Sequence, residues 1–277
     1  MDSPVFYERF FMALLIVTDL DGTLLADDKS IDPEFWALEA KFAEKDIYFS
    51  IASGRPYPNM TTVFEKIKDR VYFISDNGSF MAYQDQELLI DPLQDASVVE
   101  FVELSRIISD SYPVLCGKKL AYMEDNNPRV LKQTLKYYQH YKIVDDLTRL
   151  EEKILKVSLC DLISSETNSY PHYKKFEQDF NVAVSSEVWL DLNSSTANKG
   201  TAVKKLQNSL GIGYDNTIVF GDFLNDLELM QVGKYSFAMK NGHPKIKETA
   251  RYVTEFSNNE SGVVRTIEKL LTQIGVQ

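Results

Sequence analysis

Continuous apolar blocks alternate with mixed, helix-like stretches along the first third of the chain. Residues 13–18 form an apolar run without helical spacing, which predicts a strand covered on both faces. After a glycine-containing turn, Asp32 is placed to cap a helix opening at Pro33, with Phe35, Trp36, Leu38 and Phe42 spaced along one face. IYFSIAS predicts a second buried strand, Gly54 turns the chain, YPNMTTVFEKIKD reads as a helix and VYFIS as a third strand. Strand, helix, strand, helix, strand at this spacing implies right-handed crossovers and a parallel sheet.

The same rhythm returns near the C-terminus. NKGTAVKKLQNSLG reads as a helix closed by Gly211, TIVFGD as a strand, LNDLELMQVG as a helix ending at Gly233, and YSFAM follows. A short helix from Pro244 and an amphipathic helix around GVVRTIEKLLTQI complete this half. The middle has a different pattern. SFMAYQ with ELLIDP, and YPVLCG with KLAYME, read as hairpins; helical patterns at 96–109, 128–141 and 169–180 alternate with ILKVSLCD, VAVSS and VWLDL. The expected architecture is α/β: a Rossmann-like parallel-sheet core from residues 1–83 and 195–277, with an inserted α+β cap domain at 84–194.

Composition narrows the partners. A chain of 277 residues, 44% hydrophobic, can bury a large core. Its net charge of -11 argues against general nucleic-acid binding and against an anionic membrane surface, but a local site can still oppose that charge and take an anionic small molecule. Cys116 and Cys160 belong to no CxxC or Cys/His cluster and read as small core residues of a cytoplasmic protein. No apolar run approaches the ~20 residues that span a bilayer. Asp2, Glu8 and Arg9 interrupt the opening MDSPVFYERFFMALLIV, and no small-residue cleavage site follows it. Met12, just ahead of the first strand, reads as an alternative start that makes residues 1–11 an extension.

Open parallel sheets bind ligands beyond the carboxyl ends of their strands. Four predicted strand ends carry polar clusters: Asp19 with Asp21; Ser53, Gly54 and Arg55; Asp76 with Asn77; and Gly221, Asp222, Asn225 and Asp226. Lys199 opens a helix near the same edge. Asp19 and Asp21 lie two positions apart, where like charges repel, so a cation between them is expected. Several acids and an amide, without His or Cys companions, suit a hard ion such as Mg2+ rather than zinc. A serine at a strand end, followed by glycine and a helix start, offers a hydroxyl and free N–H groups to phosphate oxygens, and Lys199 adds a point charge. Metal, anion cradle and lysine together describe a phosphoryl-transfer site.

DLDGTLL early, the serine of IASGRP, the lysine of NKG and then GDFLND, in that order, resemble the haloacid dehalogenase-like (HAD) hydrolase superfamily. The insertion after SDNGSF and the C-terminal sequel LMQVGKYSFAMKNGHPKIKETARYVTEFSNNESGVV resemble its Cof-type sugar-phosphatase subgroup. The resemblance implies that Asp19 is the nucleophile and forms an aspartyl-phosphate, and that Asp21 protonates the leaving oxygen and later deprotonates water. It implies Mg2+ held by the carboxylate of Asp19, the main-chain carbonyl of Asp21 and the carboxylate of Asp222. Ser53, Gly54 and Lys199 hold phosphoryl oxygens on this reading, Asn225 and Asp226 support the metal or Lys199, and Gly22 permits the tight turn after Asp21. The chain departs from the subgroup at Asn241-Gly242, where NA is common, and at Val232-Gly233, where AG is common.

Other residues keep two readings open. Lys199 alone reads as a helix-surface lysine, and its case rests on the order of motifs. Asn225 suits a helix cap as well as a site. Arg55 and Asn77 are possible substrate contacts, or an ordinary ion-pair partner and a turn residue. His140, His172 and His243 lie in no motif. Trp189 and Asp191 alternate on one strand of the insert, where an aromatic ring faces either the core or a substrate. The function implied is a Mg2+-dependent phosphatase acting on a small phosphorylated metabolite, the cap closing over the leaving group. The alternatives are a phosphomutase of the same superfamily and a phospho-ligand-binding protein without turnover. Oligomeric state leaves no mark in the sequence.

Overall fold

The computed structural model describes residues 13–124, 126–138 and 140–273; the reading of Met12 as a start lies outside them. The elements in chain order are β1 (Leu14–Thr18), α1 (Pro33–Ala40), β2 (Ile47–Ala52), α2 (Tyr57–Val63), β3 (Val71–Ser75), β4 (Phe80–Tyr83) and β5 (Gln86–Ile90). Then come α3 (Asp95–Ser105), β6 (Ser111–Gly117), β7 (Ala121–Met123), α4 (Pro128–Thr134), β8 (Tyr141–Ile143), β9 (Ile154–Asp161), α5 (Tyr170–Tyr173), β10 (Phe180–Ser186) and β11 (Trp189–Ser194). The chain closes with α6 (Lys199–Leu210), β12 (Thr217–Gly221), β13 (Tyr235–Ala238), α7 (Pro244–Thr249), β14 (Tyr252–Val253) and α8 (Gly262–Gln273).

Two compact units emerge. One runs up to Ala52 and resumes with Arg70–Tyr72 and from Val203 onward; the other is Ser53–Asp69 with Phe73–Ala202. In the first, β14, β13, β12, β1 and β2 lie side by side, all parallel. Strand β1 sits between β12 and β2, with Val17 opposite Val219 on one side and Ser50 on the other, so the two α/β stretches seen in the sequence form one sheet. Its Leu15, Ile16 and Val17 are fully buried, as the unbroken apolar run requires. Asp32 does cap α1, accepting from Glu34 N–H. That helix stops at Ala40, so Phe42 lies beyond it; Phe35 and Phe42 nevertheless both pack on Phe49. On α8, the predicted amphipathic stripe of Val263, Val264, Ile267, Leu270 and Leu271 is buried.

In the second unit, β10, β11, β9, β6, β7 and β8 form a mixed sheet, antiparallel except for the β7–β8 pair. The expected hairpins are present: β4 pairs with β5 through Gln84 and Asp85, both at positive φ, and β6 pairs with β7. On one face of the sheet Val114, Cys116, Cys160 and Trp189 share a core with Met123, Val130 and Tyr138, so Trp189 is a packing residue. Both cysteines are buried and free, as the sequence suggested.

Several helices are shorter than their patterns. α2 ends at Val63, after two threonines whose hydroxyls both donate to the Pro58 carbonyl and compete with helical bonding. α4 ends at Thr134, beyond which Tyr137 and Tyr138 turn their rings onto Trp189. The stretch from 165 to 176 breaks into a wide turn, α5 and a 3-10 turn. The helix expected over LNDLELMQVG is absent and two 3-10 turns, Leu224–Asp226 and Leu229–Gln231, replace it. There the Asp226 carboxylate folds back to accept from the N–H groups of Asp222 and Phe223, which ties the first turn tight.

Candidate active site

Thr18 ends β1, and the next residue leaves the sheet with its backbone N–H still donating to Phe220 O of β12 at 3.0 Å. That residue is Asp19, 5% exposed. Strand β12 ends in the same way at Gly221, so Asp222 emerges beside it. Carboxylate oxygens of Asp19, Asp222 and Asp226 all lie within 4.8 Å of one another. Three acids this close repel strongly unless a cation shares them, and an all-oxygen donor set fits a hard divalent ion.

The surroundings set the orientation of these carboxylates. Thr23 Oγ1 donates to Asp222 Oδ1 at 2.8 Å, and Asp226 Oδ2 caps the turn after Asp222. Gly22 has φ +77, and a Cβ there would lie 2.5 Å from Asp222 Oδ2, so only glycine lets the backbone approach. Gly221 is pressed in the same way, its missing Cβ 2.7 Å from the Asp226 side chain. Asn241 Nδ2 donates to Gly22 O and His243 N–H to Asp222 O, so the loop after β13 holds both turns. Asn241 therefore serves this site through its side-chain amide, and Gly242, where a Cβ would lie 3.1 Å from Asp222 O, by letting the two loops approach. Asp21 is half-buried and pairs with Lys29 at 2.7 Å. Asn225 stands inside the first 3-10 turn rather than at its cap.

The second unit gathers the other predicted residues. The backbone N–H of Ser53 donates to Ile74 O, and its Oγ accepts from the N–H of Arg55 at 3.2 Å. Arg55 is buried, donates to Asn59 Oδ1 and lies over the ring of Tyr137. Asn77 donates from Nδ2 to Asp191 Oδ2 at 2.6 Å. The turn of Asp76, Asn77 and Gly78 has positive φ throughout, and a Cβ on Gly78 would lie 2.5 Å from Asn198 O. The peptide preceding Lys199 thus packs on this turn. Asn198 Oδ1 accepts from Thr201 N–H, which caps α6, and Lys199, the first helical residue, is wholly buried rather than on the helix surface.

Burial pushes the Asp76 carboxyl up to about 7; Asp191 adds to the shift, while Lys156 and Ser75 oppose it. Burial also pushes the Cys116 and Cys160 thiols up to about 12, which leaves both inert. Sequence reasoning missed Thr23, Lys156 and Ser158. Lys156 and Ser158 had a signal, two polar residues two apart inside the apolar strand ILKVSLCD, which places both on one face.

The model of the haloacid dehalogenase-like hydrolase family matches residues 16–267. The 5-amino-6-(5-phospho-D-ribitylamino)uracil phosphatase YbjI of Escherichia coli is 28% identical over 262 residues, covering 93% of this chain and 96% of its own length. The crystal structure of SMU.1108c from Streptococcus mutans superposes with TM-score 0.86 at 28% identity, over 94% of this chain and all of that one. A haloacid dehalogenase-like hydrolase from Bacillus subtilis shares the fold, with TM-score 0.84 at 21% identity over 93% of this chain and 99% of that one. The chain belongs to the haloacid dehalogenase-like hydrolases, in their Cof-type division, and is a phosphatase. No helix among the described residues is long and apolar enough to cross a membrane.

Proposed function

We propose that this phosphatase hydrolyses small phosphorylated metabolites, sugar phosphates or similar phosphomonoesters, with Mg2+ and through an aspartyl-phosphate on Asp19. The observation that carries the reading is the meeting of Asp19, Asp222 and Asp226 oxygens within 4.8 Å at the ends of β1 and β12. The carboxylates of Asp19 and Asp222, with the main-chain carbonyl of Asp21, hold the metal, and Asp226 supports them from its cap on the Asp222 turn. Bound there, Mg2+ neutralises charge on the transferring phosphoryl group. A carboxylate oxygen of Asp19 bonds to phosphorus as the ester P–O bond breaks, and Asp21 gives its proton to the departing oxygen. Asp21 then takes a proton from the water that attacks phosphorus, and the acyl-phosphate P–O bond breaks to restore Asp19. Ser53, Gly54 and Lys199 bind phosphoryl oxygens, and Arg55 and Asn77 are substrate contacts of the second rank, since both side chains already have protein partners.

The division into a catalytic core, 1–83 and 195–277, and a cap, 84–194, belongs to the same proposal. It is supported by the β6–β11 sheet, whose strands fall entirely between Ser111 and Ser194. A cytoplasmic location fits the two free, buried cysteines. The test is phosphate release from a panel of phosphorylated metabolites that includes 5-amino-6-(5-phospho-D-ribitylamino)uracil, with Mg2+ or with EDTA. Release that needs Mg2+ and disappears in Asp19→Asn supports the proposal. Full activity of Asp19→Asn, or phosphate delivered to a sugar hydroxyl instead of solvent, overturns it.

A further inference from the structure

Three consecutive carbonyls of the loop after β2 are held by hydrogen bonds. Ser53 O accepts from Asn77 N–H at 3.0 Å, and Arg55 O accepts from Asp76 N–H at 3.1 Å. Both donors belong to a turn in which two non-glycine residues in succession have left-handed backbone, an arrangement that costs energy and persists only where neighbours enforce it. The middle carbonyl, Gly54 O, accepts instead from a side chain: Lys156 Nζ of β9, at 2.6 Å. Glycine lets a peptide rotate more freely than any other residue, so the Gly54–Arg55 peptide is the one that most needs an external hold. Its rotation would carry the Arg55 N–H off Ser53 Oγ.

Lys156 is itself braced. It is 2% exposed, and its ammonium lies 3.2 Å from Asp191 Oδ2 of β11. Burial is the strongest influence against its charge, but Asp191 together with Tyr138, Cys116 and Asp76 outweighs it, so the amine stays protonated. Asp191 is equally buried; Oδ1 accepts from Ser158 Oγ, and Oδ2 also accepts from Asn77 Nδ2 and Ser185 Oγ. Asp191 stands opposite Ser158 in the β9–β11 register, and Lys156 is two residues from Ser158, so all three share one face of the sheet. A buried ion pair is a poor device for stability, because apolar replacements of similar volume are often neutral or better. Its contact with Gly54 O gives it another use.

We infer that Lys156, braced by Asp191, is a positioning residue for the phosphate-binding loop at Ser53 and Gly54. The inference rests on the assignment of that loop under the proposed function. The ammonium holds the Gly54 peptide in one orientation, so that the serine hydroxyl and the loop's N–H groups reach a phosphoryl group preorganised. A strand more than a hundred residues away in sequence thereby governs phosphate affinity without touching phosphate.

The test uses the full chain with Mg2+, p-nitrophenyl phosphate as substrate and inorganic phosphate as ligand, the latter followed by competition and by calorimetry. Lys156→Met is expected to weaken inorganic phosphate about tenfold or more and to raise KM by a similar factor, with a smaller loss in kcat, as for other residues that orient a binding group. Lys156→Arg, which keeps a donor for Gly54 O, recovers part of that loss. The double variant Lys156→Met/Asp191→Asn removes both charges while keeping an acceptor for Asn77 Nδ2 and Ser185 Oγ, so its thermal midpoint is expected to exceed that of Lys156→Met, yet it still binds phosphate weakly. Wild-type phosphate affinity in either Met variant overturns the inference, as does a wild type that binds no phosphate. A wild type that releases no phosphate from p-nitrophenyl phosphate but loses inorganic phosphate on Lys156→Met overturns the hydrolytic reading alone.

Discussion

The hydroxyl of Thr23 donates to Asp222 Oδ1 at 2.8 Å, joining residues 199 positions apart. The bond leaves Asp222 one fixed carboxylate orientation beside Asp19. Thr23→Val keeps the shape and removes the donor. On the proposed function, in which Asp222 binds Mg2+, the Mg2+ concentration for half-maximal phosphate release is expected to rise about tenfold, the usual scale for losing a hydrogen bond to a metal-binding side chain. Thr23→Ser retains the hydroxyl and is expected to stay near wild type. A metal titration of both variants decides.

Gly22→Ala puts a methyl group 2.5 Å from Asp222 Oδ2 at a backbone φ of +77. The carboxylate has to move, and the strained backbone costs on the order of 1–3 kcal/mol. Activity is expected to fall by at least about tenfold, together with a lower thermal midpoint. A variant with wild-type turnover and stability would show that the Asp222 carboxylate need not stay where it is.

Burial pushes the Asp76 carboxyl from the ordinary carboxylate value of 3.8 up to about 7 in the folded protein. Between those values the folded chain holds a proton that the unfolded chain has lost. Stability is therefore expected to decline as pH rises from about 4 to about 7, then level off, a total of order a few kcal/mol. Asp76→Asn, which carries no titrating group, should flatten that stretch. Urea midpoints at pH 5 and pH 8 for both proteins measure the difference.

Cys116 and Cys160 are buried, with thiols held far above the ordinary range. Neither is expected to react with iodoacetamide in the native protein at neutral pH, and both should react after denaturation. Intact mass before and after urea treatment reports the count directly.

Strands were read well because their cue is local. The unbroken apolar runs at β1, β2 and β12 need cover on both faces, and a parallel sheet supplies it. Helices were overextended where a side chain found a better partner than helical periodicity offers. LNDLELMQVG has helical spacing, but the Asp226 carboxylate binds two N–H groups and turns the chain tightly instead. Tyr137 and Tyr138 likewise leave the pattern after α4 to pack on Trp189.

Paired acids after an apolar strand, a serine before glycine and a lysine opening a helix, in that order, carry the resemblance to the hydrolase family, so the phosphatase class was legible along the chain. Which side chains steady those groups was not. Thr23 reaching Asp222, and Lys156 reaching Gly54 O, are contacts between segments far apart in sequence, created by strand register and close backbone approach. Hydrogen bonds of that kind depend on positions good to a few tenths of an ångström, and such positions exist only once the chain has packed.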